Sequence, residues 1–526
     1  MLFNSLEFIC LFLPITLLIF FQIGNFGNYR AVVVFIVAAS LSFYGWWNPP
    51  YLLLLIFSLI FNYFLGSALS DKININLGNK LLLTLGIIVN LGLIGYFKYA
   101  NFFLSSVSAV IGTNINIENI ILPLAISFFT FQQIAYLVDA YKGETKEYNF
   151  LDYCLFVTFF PQLIAGPIVH HKEVMPQFAD KSTYRFNPEN IAVGITIFSL
   201  GLFKKVVFAD NIAVYATPVF NAASKGVEPT LIEAWVAALA YTLQLYFDFS
   251  GYSDMAIGIS RMFGIKLPIN FNSPYKAISI SDFWRRWHIT LSNFLRDYLY
   301  IPLGGSRQGE IRRNLNLLIT MLLGGLWHGA GWTFVFWGGL HGTYLIINHQ
   351  YRSLRKRLGH DLKNTNWFDR GCGWLLTFVA VVVGWVFFRA ESIDSALVIV
   401  KGMFGFNGVS VAESLSGKLG FLQNWNIQAN GWLPTIGAKP AEVILFISFL
   451  LIIAWFTPNT QQWMERHNPV LNHQLANQSS IYKSDFWKRL QWEPNNFYGL
   501  VISALILITL KVILDAPESE FLYFNF

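Results

Sequence analysis

Charge is what this sequence has least of. Asp, Glu, Lys and Arg make up 13% of its 526 residues, about half the roughly 25% of a soluble domain. Much of the folded surface must therefore face something other than water, which excludes an ordinary soluble enzyme. Cysteine is nearly absent as well. Cys10, Cys154 and Cys372 stand far apart, with no C-x-x-C pair, so neither a disulfide scaffold nor a thiolate metal site is suggested. A phosphate-cradling G-x-x-x-x-G-K-[S/T] loop is missing, as is the G-x-S-x-G elbow of a Ser–His–Asp hydrolase. The first apolar stretch lacks a basic leader and a small-residue cleavage site. It reads as a retained membrane helix, not a signal peptide. No internal repeat is visible, which argues against the common inverted-repeat transporter plans.

What is present is apolar and aromatic. Hydrophobic residues make up 55% of the chain, with 50 Phe, 23 Tyr and 17 Trp. Stretches long enough to cross a hydrocarbon core of about 30 Å recur throughout. They lack the short alternating pattern of a membrane β-barrel. The expected fold is an all-α polytopic membrane protein, one domain over residues 1–526, with about eleven crossings and the remaining helices re-entrant or interfacial. "YGWWNPPY", Tyr44–Tyr51, reads as an interfacial aromatic belt, with Pro49 and Pro50 closing a helical hairpin. Two polar stretches, about 405–442 and 458–496, read as extramembrane loops, with His467 and His473 as solvated surface residues. The net charge of +6 fits basic cytoplasmic loops and gives no reason to invoke nucleic acid. Arg30, Lys72, Lys80, Lys142 and Lys146 place their loops inside and the N-terminus outside. The loop after Leu151–Val169 is basic, yet simple alternation would put it outside. Pro161, Gly166 and Pro167 in that segment predict a broken, re-entrant path that reconciles the two.

Four stretches could carry chemistry. "SISDFWRRWHITLSNFLRDYLY" has helical periodicity, with Phe283, Trp287, Phe294 and Tyr298 near one face and Arg285, Arg286 and Arg296 among the basic positions. An amphipathic interfacial helix with arginines on lipid phosphates is one reading. It does not explain His288. Arg307, Arg312 and Arg313 follow, and such a patch also suits a phosphate-rich donor, because guanidinium grips phosphate bidentately. "MLLGGLWHGAGWTFVFWGGLHG" places His328 within an apolar segment, where an ionisable residue is a functional candidate. Gly324, Gly325, Gly329 and Gly331 serve close helix packing, ligand approach, or both. His341 sits similarly, near the end of the span, and an interfacial or a hydrogen-bonded histidine is its plainer reading. Zinc-type spacing is missing, so no metal is expected. "LQLYFDFSGYSDMAIG" holds Asp248 and Asp254, read either as partners of a helix arginine such as Arg261 or as support for the site. Gln132, Gln133 and Asp139 read as polar glue between helices.

These stretches, with "FFPQLIAGPI", "NFNSPYKAISISDFWRRWHITLSNFLRDYLYIPLGG" and "GWVFFRAES", resemble the membrane-bound O-acyltransferase family, in particular its bacterial alginate O-acetyltransferase type. The resemblance is strong over about residues 122–392. It implies a helical domain around a central tunnel, with His328 as the catalytic histidine and His288 as the second. Trp287, Arg285, Arg286, Asn293, Trp327, Asp248 and Asp254 would bind donor or support the site. It also implies a multi-pass protein of the inner membrane and no permanently bound cofactor. An acetyl group would pass from a cytosolic donor such as acetyl-CoA toward an exported polysaccharide such as alginate, commonly with a periplasmic acetyltransferase partner. His328 would act as general base, which needs a neutral imidazole, and desolvation favours that form. His288 would polarise the thioester carbonyl or position the donor. The chain also resembles the D-alanine exporter type that serves teichoic acids. A transporter or channel is the reading outside the enzymes.

Overall fold

The computed structural model describes residues 1–70, 73, 78–112, 120–144, 149–360, 366–411, 427–428, 431–471, 485–515 and 519–522. Lys72, Lys146 and His473 lie outside the described residues. The protein is an all-α polytopic membrane protein. Six helices among the described residues are long and apolar enough to cross a membrane: Phe8–Asn25, Pro49–Leu69, Asn79–Ile111, Pro188–Ser224, Trp367–Arg389 and Asn496–Asp515. Tyr29–Gly45 and Pro440–Phe456 are apolar but shorter. Leu231–Met262, Gly309–His328 and Trp332–Arg357 are long helices whose polar residues keep them outside a purely apolar definition. Val409–Ser410 and Ile427–Gln428 form a short parallel pair.

Local chemistry sets several boundaries. Pro49 and Pro50 open the Pro49–Leu69 helix, where the missing N–H is harmless. Leu151–Val169 is broken, as its prolines predict. A helix runs Phe150–Thr158, one turn follows at Phe160–Leu163, and the next helix starts at His171. The Ile126–Tyr141 helix starts after Ala125, which takes a left-handed conformation with φ 61°.

The chain divides into two compact units. The first comprises Met1–Phe203, Gly251–Ile269 and Thr460–Asn525. Its core includes an aromatic chain in which Phe3 meets Phe8, Phe8 meets Phe43, and Phe43 meets Phe160. Gly201 and Gly258 let two helices touch backbone to backbone. A Cβ at Gly201 would stand 2.5 Å from the Gly251 oxygen, and one at Gly258 2.5 Å from the Phe198 nitrogen. Asp254 accepts hydrogen bonds from Thr460 Oγ1 and Gln461 Nε2, each 2.6 Å. Arg261 instead reaches the His467 carbonyl. The expected ion pair between Arg261 and Asp248 or Asp254 is therefore not formed, because sequence proximity on one helix does not outweigh partners supplied by distant segments. His467 is also corrected. It is not free surface: its Nδ1 lies 2.8 Å from Glu189 Oε1, and its ring packs edge-on against Trp492.

Three helices of this unit are joined by buried amides. Ser58 Oγ donates to Gln133 Oε1 at 2.6 Å, and Asn62 Nδ2 donates to the same oxygen. Asn62 and Asn90 exchange amide hydrogen bonds of 3.2 and 2.6 Å. Gln133 is the polar glue its sequence context suggests. Interhelical bonds of this kind contribute about 0.6–2 kcal/mol in a membrane. Gln133→Leu removes the acceptor for two buried donors. It should lower the unfolding midpoint in detergent, with about 1–2 kcal/mol lost. An unchanged midpoint would show that the ladder adds nothing.

The second unit comprises Lys204–Ser250 and Asn270–Asn459. Lys205 Nζ lies 2.7 Å from Asp248 and 2.8 Å from Asp210. A buried ammonium between two carboxylates is satisfied where a lone one would be prohibitive. The rest of the unit's interior is dominated by stacked indoles, phenyl rings and imidazoles.

Candidate active site

The stretch read from sequence as one amphipathic helix is in fact broken. A short helix covers Ile280–Trp284 and another Ile289–Leu295, followed by a π-helical turn at Arg296–Tyr300. His288 stands at the break with φ 44° and ψ 54°. A non-glycine residue in this left-handed region carries about 1–3 kcal/mol of strain and persists only when its surroundings over-determine it. Here they do. Ile289 N donates to the Asn270 carbonyl at 3.0 Å, and Asn272 N donates to the Arg286 carbonyl at 2.9 Å. Residues 270–272 thus run alongside 286–289 and supply the bonds a continuous helix would have made internally.

The same asparagine fixes the imidazole. Thr290 N and Thr290 Oγ1 both donate to Asn270 Oδ1, at 3.4 and 3.1 Å. A backbone N–H can only donate, so that amide atom is the oxygen. His288 Nδ1, 3.0 Å from the same oxygen, must therefore carry a proton. In the neutral ring Nε2 is then the unprotonated nitrogen. Burial holds this imidazole well below the ordinary histidine value, so the neutral form prevails.

His328 comes from a different construction. It is the last residue of the Gly309–His328 helix, and the short Gly329–Gly331 link leads directly into Trp332–Arg357. The two helices form a tight antiparallel hairpin. A Cβ at Gly325 would lie 2.2 Å from the Phe334 oxygen, and one at Gly338 2.3 Å from the Met321 oxygen. The glycines therefore serve close packing first. Gly329 serves it too, with the Phe334 ring occupying the space of a Cβ.

The structure brings the two histidines together. Their ring centroids are 6.3 Å apart, although forty positions separate them in sequence. Both are buried. Trp327 touches both rings, at 5.9 Å from His288 and 5.0 Å from His328. Phe249 closes on His288, while Trp337 and Phe388 close edge-on over His328. Aromatic walls exclude water while leaving the two rings close enough for one small reacting group to touch both.

The sequence profile of the membrane-bound O-acyltransferase family matches residues 140–390. A peptidoglycan O-acetyltransferase of Helicobacter pylori is 43% identical over 100% of this chain and 98% of its own length. The chain belongs to the membrane-bound O-acyltransferase family. A probable alginate O-acetylase of Azotobacter vinelandii is 42% identical over 80% of this chain and 82% of its own. A teichoic acid D-alanyltransferase of Streptococcus thermophilus is 28% identical over 50% of this chain and 68% of its own. The class is thereby an acyltransferase, and the transporter or channel reading falls away.

The other predicted residues of this O-acyltransferase distribute unevenly. Trp327 lies between the histidines. Trp287 is buried in an aromatic column with Phe271, Phe283 and Trp385, so it shapes the wall. Asn293 is half-buried on the Ile289–Leu295 helix. Arg286 is bound to Asp282 at 2.8 Å, and Arg285 is exposed. Asp248 is held by Lys205, and Asp254 belongs to the first unit. His341 is buried among Trp284, Trp337 and Trp385, with neither ring nitrogen hydrogen-bonded among the described residues. It is a core histidine that shares Trp337 with His328, and not the interfacial residue its position suggests. Asn270 was missed as a functional residue. It opens the "NFNSPY" motif, but its role depends on a partner eighteen positions away. Asn270→Leu should lower acyl transfer by at least about tenfold, the equivalent of one lost buried hydrogen bond. Asn270→Asp, which keeps an acceptor, should retain more. Equal activity in both variants would show that the tautomer is not set here.

Proposed function

We propose that this acyltransferase moves an acetyl group from a cytosolic thioester donor, acetyl-coenzyme A, for O-acetylation of a glycan outside the membrane. His328 acts as general base. It takes the proton of an acceptor hydroxyl, whose oxygen attacks the thioester carbonyl. The C–S bond breaks, and the departing thiolate receives the proton from the imidazolium. Such proton transfer is worth about 10²–10⁴ in rate. His288 has its Nδ1 proton committed to Asn270, so its unprotonated Nε2 accepts hydrogen bonds and does not polarise a carbonyl. Its role is to orient the acceptor hydroxyl or the incoming group. The observation that carries this reading is the pair of buried rings 6.3 Å apart in one aromatic enclosure.

The match with the peptidoglycan O-acetyltransferase runs the whole length of the chain, whereas the alginate relative matches 80% of it. Peptidoglycan is therefore the first acceptor to test, with alginate second. The shorter, more distant D-alanyltransferase match does not favour D-alanine. In this reading the protein works in the inner membrane, and a periplasmic acetyltransferase is the partner that fits a relayed transfer. His328→Ala should reduce alkali-releasable acetate on isolated peptidoglycan to the level of a deletion strain, with the protein still inserted. Near-normal acetate would make His328 structural. Acetate lost from alginate alone would move the acceptor to the second reading.

A further inference from the structure

The stretch "GWVFFRAES", Gly384–Ser392, holds an arginine that the acyl-transfer geometry leaves unused. Arg389 is the last residue of the Trp367–Arg389 helix. That helix begins beside the basic end of the helical hairpin, because Asp369 in its first turn pairs with Arg355 at 2.9 Å. Arg355, Lys356 and Arg357 close the Trp332–Arg357 helix there, and clustered basic residues mark the cytosolic side of a membrane protein. The helix has 23 residues, which at about 1.5 Å each exceed a hydrocarbon core of about 30 Å. Arg389 therefore stands at the outer side. It does not snorkel toward lipid, as an arginine at a helix end commonly does. It is half-buried, with its guanidinium 5.6 Å from the centre of the buried Phe220 ring. Phe220 in turn packs on Tyr241, with ring centroids 5.7 Å apart, and the Arg389 charge acts on the Tyr241 hydroxyl.

Two features of this corner point to a ligand. Arg389 forms no ion pair among the described residues, whereas Arg286, Arg296 and Arg355 of the same unit each hold a carboxylate. Glu391 and Asp394, close to it in sequence, are exposed, and Asp248, on the helix of Tyr241, is held by Lys205. The Tyr241 hydroxyl is buried, with no hydrogen bond among the described residues. We propose that Arg389 and Tyr241 form an outer-side site for a carboxylate of the acceptor glycan. The guanidinium fork matches a carboxylate bidentately. The phenol donates to the same group, which satisfies a buried donor that is otherwise costly. The Phe220 ring steadies the guanidinium from below. The purpose of the site rests on the acyl-transfer reading. Arg389 directly follows Phe388, whose ring lies 5.3 Å from that of His328. A sugar held by its acid group at Arg389 thus brings its hydroxyls to the wall that covers His328, from the side opposite the donor. The site selects an acidic glycan over a neutral one.

The test uses the full chain in zwitterionic nanodiscs, without donor, and calorimetry as readout. The probes are a mannuronate tetrasaccharide and a peptidoglycan disaccharide-tetrapeptide. Each is compared with the same molecule after methyl esterification of its carboxyl groups. The wild type should bind at least one acid form at least about tenfold more tightly than its ester, the equivalent of one charge-assisted hydrogen bond. That preference should shrink as salt rises. Arg389→Gln should bind acid and ester alike. Arg389→Lys, which keeps the charge but not the fork, should retain part of the preference. Tyr241→Phe should weaken binding of the acid form about two- to tenfold. A wild type that prefers neither acid form to its ester overturns the site, and so does an Arg389→Gln protein that keeps the full preference. The first comparison needs no variant, so misfolding cannot hide its outcome. Because binding is read without donor, this failure is separate from failure of the His328 mechanism, which is read from glycan acetate.

Discussion

The arrangement of the two histidines depends on one buried asparagine. Asn270 offers its carbonyl to Ile289 and its side-chain oxygen to His288 and Thr290. In an apolar interior a backbone that leaves helical geometry must find other partners for its N–H groups, because water is not there to supply them. Asn270 supplies them at the one place where the helix breaks. It thereby stabilises a left-handed His288, turns the imidazole inward and selects its tautomer in one stroke. Backbone path, ring orientation and proton position are the consequences of a single acceptor group.

The second histidine is placed by the opposite means. No polar partner is needed to bring His328 to the same enclosure. Small residues let the Gly309–His328 and Trp332–Arg357 helices close until backbone meets backbone, and dispersion at that contact fixes the hairpin. The short turn after His328 then leaves the ring no freedom except toward Trp327, Trp337 and Phe388. A rigid hairpin and a strained turn meet, and the separation of 6.3 Å follows from both. Neither histidine side chain needs to move to form the pair, which is the preorganisation that acid–base catalysis rewards.

The fold class was legible because composition and apolar runs are averages over many residues. The broken Leu151–Val169 segment was legible because proline acts locally. His328 was legible because an imidazole inside an apolar helix is expensive wherever it is. The break at His288 was not. Nothing in Arg285–His288 opposes a helix; the interruption is imposed by residues 270–272, which sequence periodicity cannot see. The aspartates failed for the same reason. Asp248 finds Lys205, and Asp254 finds Thr460 and Gln461, and those partners lie far away in sequence. Local chemistry could name the polar residues of this membrane protein, but only the fold could pair them.

Pairing also explains where the remaining charge goes. Several buried or half-buried carboxylates of the second unit are engaged by a base: Asp248 by Lys205, Asp282 by Arg286, Asp369 by Arg355; buried Glu233 instead accepts from the Thr435 N–H. A protein with few charges and a basic surplus must leave some cations unmatched, and in low dielectric the least costly place is an edge that water reaches. The hairpin's open end, where Arg352 is exposed, is such an edge, whereas its closed end at Gly329–Gly331 carries the buried His328. Charge and chemistry are thus separated along one pair of helices.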